Sequence, residues 1–420
     1  MNIAITNQCS RACAFCYQSS IMKSAGAGGW TQISLDAFNA ILDFCEASGE
    51  EKVTLVGGEP TLHRQFGRLL EIIDERPALK QALLFTNGIF SDRMVEEIVG
   101  HGRKLIVSIN VLDPCEEKPV SLLHLRRNLG RFRDAGLQTD LSFVIHRPDF
   151  DHRFLLDYAR EFDIQAVRWA LAFPVVRGAS HIPVEQLRPT GVRIAAMLRE
   201  LSAAGLRSYV DCPLPYCMFS DEDMGFVASQ SLSVINWGNC GLTLEISPEL
   251  TVKACPSQRE EERVPLSWFA DVPAMERYFF TRMSAYKAAH QLLDECAQCR
   301  YYRIGHCQGG CLGYGLDSCP ELPPTCRETL GDGDIDGNWK VVPLVGLALE
   351  RRDGAALLLS PRSPQVAPEP LSGDEAGIWS EIAAGPRFAS LVDGRGRETV
   401  QAFVRRLQRG GFVDLVRDRP

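Results

Sequence analysis

Three cysteines near the start of the chain, Cys9, Cys13 and Cys16, stand in the spacing C-x3-C-x2-C on a segment that reads as the loop leaving a first strand. Three thiolates on one short loop can hold three corners of a cubane iron–sulfur cluster, and the lack of a fourth cysteine leaves one iron open to a small molecule. Structural zinc takes four ligands, usually as two C-x-x-C pairs, so a zinc site or three inert thiols is the competing reading. A second group lies further on. Cys240 and Cys255 flank a hairpin-like Glu245–Val252, followed by Cys296-x2-Cys299-x7-Cys307-x3-Cys311 and then Cys319 and Cys326. Gly309 and Gly310, inside that last short spacing, let backbone approach a cluster closely because they carry no side chain. One zinc ribbon built on Cys296, Cys299, Cys307 and Cys311 is the alternative. The chain has 15 cysteines in 420 residues, an odd number in tight repeats. In a chain this long such clusters point to metal or redox chemistry rather than to a disulfide scaffold. Cys45, on an apolar helix face, reads as a small buried hydrophobe, and Cys115 falls outside both patterns.

The run Cys9-Ser-Arg-Ala-Cys13-Ala-Phe15-Cys16-Tyr17 resembles the signature of the radical S-adenosylmethionine (SAM) superfamily, including the aromatic residue before the third cysteine. The resemblance continues in Gly57-Gly58-Glu59-Pro60 after the second strand and Thr86-Asn87-Gly88 at the end of the third. It implies that backbone groups of the first segment and the Glu59 carboxylate face the methionine ammonium of SAM. It also implies that Ser108 and Asn110 meet the ribose, that His146 or Arg147 meets the methionine carboxylate, and that Val167–Trp169 lie near adenine. Phe15 and Tyr17 join this cofactor-binding set. Each has a plainer reading: Gly-Gly-Glu-Pro as a turn, His146 and Arg147 as a solvated strand end, Phe15 as packing. The implied chemistry is reductive cleavage of SAM to a 5′-deoxyadenosyl radical that removes hydrogen from a substrate, with the cofactor performing the hard step. No individual catalytic side chain stands out. An electron donor such as flavodoxin or ferredoxin is the implied partner.

The second cysteine group resembles the SPASM extension of that superfamily, which holds two auxiliary 4Fe–4S clusters. The resemblance gives Cys240, Cys255 and Cys311 to one cluster, with Cys217 as its fourth ligand or an open iron instead. It gives Cys296, Cys299 and Cys307 to the other, with Cys326, or its rival Cys319, as the fourth. Cys212 or Cys217 is also a candidate hydrogen donor to a substrate radical. Two departures are visible: Leu250 stands where the family has glycine five residues before the second cysteine, and the gap from Cys299 to Cys307 is longer than usual. The stretch Ser372–Ile382, followed by Val400, Phe403, Val404, Leu407 and Gly411-Phe412-Val413, resembles the small winged-helix domain that recognises leader peptides of ribosomally made, modified peptides. Such domains take an extended leader as an added strand beside a helix groove. The implied substrate is a precursor peptide that receives a crosslink, a thioether or an epimerised residue. A generic winged helix or structural cap is the alternative for this domain. A radical dehydrogenase acting on a small molecule or a protein side chain, and a non-catalytic metal-binding module, are the alternatives for the whole chain.

Something must position these residues. Short apolar runs at Asn2–Thr6, Lys52–Val56, Ala82–Thr86, Lys104–Ile109, Asp140–His146 and Gln165–Leu171 alternate with amphipathic stretches, the first opening at Ser34 as a helix cap. Strand–helix alternation predicts parallel strands with helical crossovers. Six units are too few for a closed barrel, so the fold class is α/β with a partial (β/α)6 TIM-like barrel over residues 1–205 and its ligands at the carboxyl ends of the strands. A cysteine-rich auxiliary-cluster domain over residues 206–330 and a small α+β winged-helix-like domain over residues 338–420 follow. The formal net charge of -8 gives no general attraction to phosphate backbones, which argues against a nucleic-acid partner. No run of eighteen apolar residues exists to span a membrane, and Met1–Thr6 is too short for a signal h-region, so the expected location is cytoplasmic.

Overall fold

The computed structural model describes residues 1–19, 30–174, 179–230, 241–258, 263–289, 293–304, 307–311, 313–316, 334–335, 337–343, 347–352, 355–359, 368–384 and 386–417. Cys240, Cys319 and Cys326 lie outside the described residues.

Seven strands run parallel in chain order: β1 (Asn2–Thr6), β2 (Lys52–Gly57), β3 (Gln81–Thr86), β4 (Leu105–Val111), β5 (Thr139–Ile145), β6 (Ala166–Leu171) and β7 (Arg207–Val210). Six helices make the crossovers: α1 (Leu35–Ala47), α2 (Phe66–Glu75), α3 (Asp92–Gly100), α4 (Pro119–Asp134), α5 (Arg153–Phe162) and α6 (Leu187–Ala203). The local causes are simple. Ser34 caps α1 by accepting the Ala37 N–H at 3.1 Å, and Phe38, Ile41, Leu42 and Cys45 then recur on one buried face. The expected burial of Cys45 holds, at 0% exposure. The strands alternate their faces, so β3 buries Ala82 and Leu84 in the core and turns Leu83 and Phe85 to the interior cavity.

The barrel has one more strand than the sequence suggests. β7 pairs with β6 from Ala166↔Arg207 to Trp169↔Val210, so the sheet crosses the boundary drawn at residue 205. Four residues, two of them polar, give too little pattern to read. The other edge is extended too. β8 (Glu245–Ile246) runs parallel beside β1, and β9 (Thr251–Lys253) and β10 (Val264–Pro265) follow antiparallel. The turn from β8 to β9 puts Leu250 at φ 56, the left-handed region that glycine occupies without cost. That is the position where the family pattern carries glycine. Helix α7 (Asp221–Gln230) follows β7. Helix α8 (Val272–Ala289) was invisible in the sequence because Thr281 and Arg282 interrupt its apolar face while being buried themselves, and the single turns α9 (Arg300–Arg303) and α10 (Gly313–Leu316) come after it.

The last part of the chain has its own hydrophobic core around Trp379, Phe388, Phe403 and Phe412. Its first two strands are β11 (Trp339–Pro343) and β12 (Ala348–Arg352). β12, β13 (Ala355–Leu359) and β14 (Glu369–Leu371) form an antiparallel sheet, and β11 pairs with β15 (Val413–Arg417). Between them stand α11 (Gly373–Ile382), with a full Ser372/Glu375 capping box, α12 (Phe388–Val392) and α13 (Arg397–Arg409). This unit docks on α8. Arg282 and Asp414 form a buried ion pair at 2.5 Å, and Gly411, at φ 75, sits so close that a Cβ would stand 2.5 Å from the Tyr278 carbonyl oxygen. Among the described residues no helix is long and apolar enough to cross a membrane.

Candidate active site

The loop carrying Cys9, Cys13 and Cys16 leaves the carboxyl end of β1 and is anchored to β2. The Gly58 N–H donates to the Thr6 carbonyl at 2.7 Å and the Glu59 N–H to the Gln8 carbonyl at 2.6 Å. The approach is so close that a Cβ on Gly57 would lie 2.2 Å from the Thr6 oxygen, and one on Gly58 2.2 Å from the Gln8 oxygen. The glycines are therefore required by the cysteine loop, and these two N–H groups are spent on it rather than left open to a ligand.

All three thiols are half-buried. Burial pushes each above the usual thiol range, Cys13 to about 12, with Arg11 pulling back on Cys9 and Cys13. The sulfurs are close enough to feel one another's charge. Yet among the described residues the only three ligand atoms found within 4.8 Å of one another are those of Asp113, Cys115 and Glu116. The Cys9–Cys16 triad is thus wider than the shell of a single tetrahedral ion, whose ligands stand about 2.3 Å from the metal. The donor set suits a larger, multi-iron group.

Glu59 is buried to 1% exposure. Its Oε1 accepts from the Thr61 N–H at 3.3 Å, the Thr61 hydroxyl at 2.7 Å and the Thr86 hydroxyl at 2.6 Å. Oε2 accepts from the Asn87 N–H at 2.8 Å. Burial raises its pKa and these donors oppose the rise. The carboxylate therefore locks the loops after β2 and β3 together, with Pro60 buried as the first residue of the short turn Pro60–Leu62. Oε1 is fully engaged. Oε2 carries one partner, and the residue lines the cavity.

The remaining expected residues fall in three places. Asn110 lines the cavity, and its carbonyl accepts from Arg11 at 2.7 Å. Ser108, two residues earlier and on the same face of β4, is fully buried with its hydroxyl unpartnered. Phe15 lines the cavity and packs on His146, ring centroids 5.1 Å apart. Tyr17 donates to Glu245 at 3.1 Å, where Glu245 also binds Arg263 at 2.7 Å and faces Lys253 at 3.5 Å. Its hydroxyl thus ties the cysteine loop to the β8–β9 hairpin. Arg147 stands outside the cavity lining. It is held by Asp113 at 3.1 Å and Glu116 at 3.0 Å, acidic groups on the loop between β4 and α4 that sequence spacing could not bring to it.

The interior cavity measures about 540 Å³, within the span usual for ligand pockets. It runs from the cysteine loop past Val56, Phe85 and Ser142 to Glu276 on α8. Its wall carries a pair that sequence reading missed: Arg168 on β6 and Asp211 just after β7, 2.8 Å apart. Arg168 lies within the Val167–Trp169 stretch assigned to adenine, and a charge inside an apolar parallel strand was the available signal. Its Nε is buried without a partner. Burial raises the Asp211 pKa and Arg168 pulls it back. Arg11, within the cysteine loop, was also missed. It pairs with Glu117 at 2.5 Å, both nearly buried.

Residues 3–154 match the family model of the radical SAM superfamily. Over that stretch the barrel is similar to radical SAM domains. Its cofactors are a 4Fe–4S cluster and S-adenosylmethionine, in keeping with the three half-buried thiols at the mouth of the cavity. Curated relatives include the GTP 3′,8-cyclase of Synechocystis sp., 25% identical over 276 residues, covering 62% of this chain and 79% of that protein. The GTP 3′,8-cyclase of Mannheimia succiniciproducens is 34% identical over 119 residues, covering 27% of this chain and 34% of its own length. Among solved structures, SuiB of Streptococcus suis bound to S-adenosylmethionine aligns with a TM-score of 0.51 at 14% identity, covering 74% of this chain and 72% of SuiB. Native anSMEcpe with bound AdoMet and Cp18Cys peptide aligns at 0.52 and 16% identity, covering 74% of this chain and 88% of that one. SuiB bound to its precursor peptide SuiA aligns at 0.51 and 16% identity, covering 79% and 75%. These structural likenesses establish a shared fold.

Two outcomes follow for this sheet and its loops. Gly58→Ala should force the Gln8 carbonyl away and spread the thiols, so iron bound after anaerobic reconstitution should drop by up to about four per chain. Unchanged iron content would mean that the loop tolerates the extra carbon. Glu245→Ala should leave Arg263 and Lys253 buried without that partner, at a cost of about 3–5 kcal/mol. The urea midpoint measures it, and a shift below about 1 kcal/mol would show the network to be dispensable.

Proposed function

We propose that the protein is a radical SAM enzyme with auxiliary iron–sulfur clusters that modifies a ribosomally made precursor peptide. Cys9, Cys13 and Cys16 hold the SAM-binding cluster. Ser108, Asn110, Phe15 and Tyr17 line or brace the SAM side of the cavity, while Gly57, Gly58, Glu59 and Pro60 fix the loop that positions it. When bound, the reduced cluster and SAM supply one-electron chemistry able to break an unactivated carbon–hydrogen bond. The chain's own residues place the reacting carbon and keep water away. Arg168 and Asp211, across the cavity, offer a donor and an acceptor to a peptide group. A small reductant protein such as flavodoxin or ferredoxin supplies the electron.

The observation that carries the peptide reading is the separately cored carboxy-terminal unit. Among the described strands β14 pairs with β13 alone. Its Glu369 is bridged to α13 by Arg406 at 2.9 Å. An edge strand beside a helix is what an extended leader needs for strand addition. The relatives named GTP 3′,8-cyclase favour a second reading, a nucleotide substrate. The cavity wall argues against it, because carboxyl side chains of Glu50, Glu59, Asp211 and Glu276 outnumber the guanidinium groups of Arg11 and Arg168. A triphosphate would meet more negative than positive side chains there.

The test is reconstituted enzyme with SAM, reductant and a candidate precursor peptide, read by mass spectrometry. A mass change in the peptide core with stoichiometric 5′-deoxyadenosine supports the reading. A cyclised product from GTP, with peptide unchanged, would replace it with the nucleotide reading.

A further inference from the structure

The second cysteine group draws in a residue from far upstream. Cys217 sits in the short turn Tyr216–Met218, just after the barrel's last strand. That turn is seated firmly on α6: Met218 is buried, and a Cβ on Gly191 would stand 1.9 Å from the Met218 carbonyl oxygen. On its other side the Tyr216 ring stacks on Tyr301, centroids 4.9 Å apart at 30°. Tyr301 belongs to the helical turn Arg300–Arg303 that Cys299 caps, and its carbonyl accepts the Cys307 N–H at 3.1 Å. The Cys299 N–H in turn donates to the Cys296 carbonyl at 3.1 Å. Tyr301 is thus a hub that holds the turn of Cys217 and the loop of Cys307 against the Cys296–Cys299 turn.

We propose that Cys217 is the fourth thiolate of the set Cys296, Cys299 and Cys307, in the place that the family pattern would give to Cys326. The proposal rests on the reading of this region as an iron–sulfur domain. Burial is the main influence on the Cys217 thiol, and Cys307 and Cys296 stand near enough to add to it while Arg188 opposes. No three of the four sulfurs are among the ligand groups within 4.8 Å of one another, a spread that suits a cubane better than one zinc ion. Gly309 donates its N–H to the Cys307 sulfur at 3.4 Å, and hydrogen bonds to cluster sulfurs are among the levers that set cluster potential. All four thiols are free, with no disulfide competing for them. A ligand seated on α6 would tether the metal-binding region directly to the barrel. It would also take Cys217 away from the set of Cys240, Cys255 and Cys311.

The experiment uses the full chain in a background of Cys9→Ala, Cys13→Ala and Cys16→Ala, reconstituted anaerobically and read by iron and sulfide content and by electron paramagnetic resonance of the reduced protein. In that background Cys217→Ala should lose about four irons or alter the signal of one cluster, and Cys326→Ala should do neither. Cys217→Ser, which keeps a ligating oxygen and the volume, should retain iron with a shifted signal, and it decides the matter if the alanine variant does not fold. Unchanged iron and signal in both Cys217 variants, with loss in Cys326→Ala or Cys319→Ala, would overturn the assignment and leave the iron–sulfur domain intact. A background protein that binds no iron at all would overturn the domain reading itself, and the assignment with it.

Discussion

Replacing Cys9, Cys13 and Cys16 together by alanine should abolish 5′-deoxyadenosine formation, a loss of at least about 10³-fold, while the chain stays folded. The reason is local. The three thiols sit on a loop tied to β2 by backbone bonds of Thr6, Gln8, Gly58 and Glu59, with the Cys9 sulfur accepting only from Arg11 within the loop at 3.4 Å. The loop therefore keeps its place without them, and what disappears is the donor set for the open-iron cluster. Iron content should fall by about four per chain and no further, because the Cys255–Cys311 region lies on separate elements. The assay is 5′-deoxyadenosine released per enzyme with dithionite and SAM, beside iron content and thermal unfolding. Residual turnover of more than a few per cent of wild type would show that the radical chemistry does not start at this loop.

Glu59→Ala should produce the second large effect, and it should be on stability as well as turnover. The substitution leaves four donors, from Thr61, Thr86 and Asn87, facing an empty space in a fully buried site. Each buried unsatisfied group costs about 1–3 kcal/mol. Hydroxyls can rotate and water can enter, so the expected sum is about 3–5 kcal/mol, a large share of the about 5–15 kcal/mol that holds a domain together. Glu59→Gln separates the causes. Its carbonyl oxygen can serve the Oε1 donors, leaving one amide opposed to the Asn87 N–H, so it should cost about 1–3 kcal/mol. If SAM cleavage falls equally in both variants while only the alanine variant loses stability, the charge of Glu59 acts on the cofactor directly. If cleavage follows stability, its role is to hold the two loops. Urea unfolding of the apo chain, paired with the 5′-deoxyadenosine rate, distinguishes the two.

Much of the barrel was legible because its signals are local. The first six strands fall within a few residues of their expected positions, and Ser34 caps its helix as read. The misses share one cause: β7 and α8 are specified by what they pack on rather than by their own pattern. β7 is a strand because β6 offers it a ladder. Polar Thr281 and Arg282 are tolerated inside α8 because Asp414, more than a hundred residues away, meets Arg282 there. The site divides in the same way. The cysteine loop, the paired glycines and Glu59 were recognisable as a motif, but their division of labour was not. That Gly58 spends its N–H on Thr6, or that Tyr17 reaches Glu245, depends on contacts across the sheet.

The sequence by itself determined the chemistry, because three thiols within eight residues fix a donor set whatever the rest of the chain does. It also determined the parallel α/β architecture, because side-chain periodicity is a property of neighbours along the chain. Only the tertiary structure decided which charges face the cavity: Arg168 and Asp211 do, and Arg147 does not. It alone stacked Tyr216, next to Cys217, on Tyr301 in the turn that Cys299 caps. The physical reason is that strand register and the seating of one turn on another set distances between residues far apart in sequence. No local propensity encodes those distances.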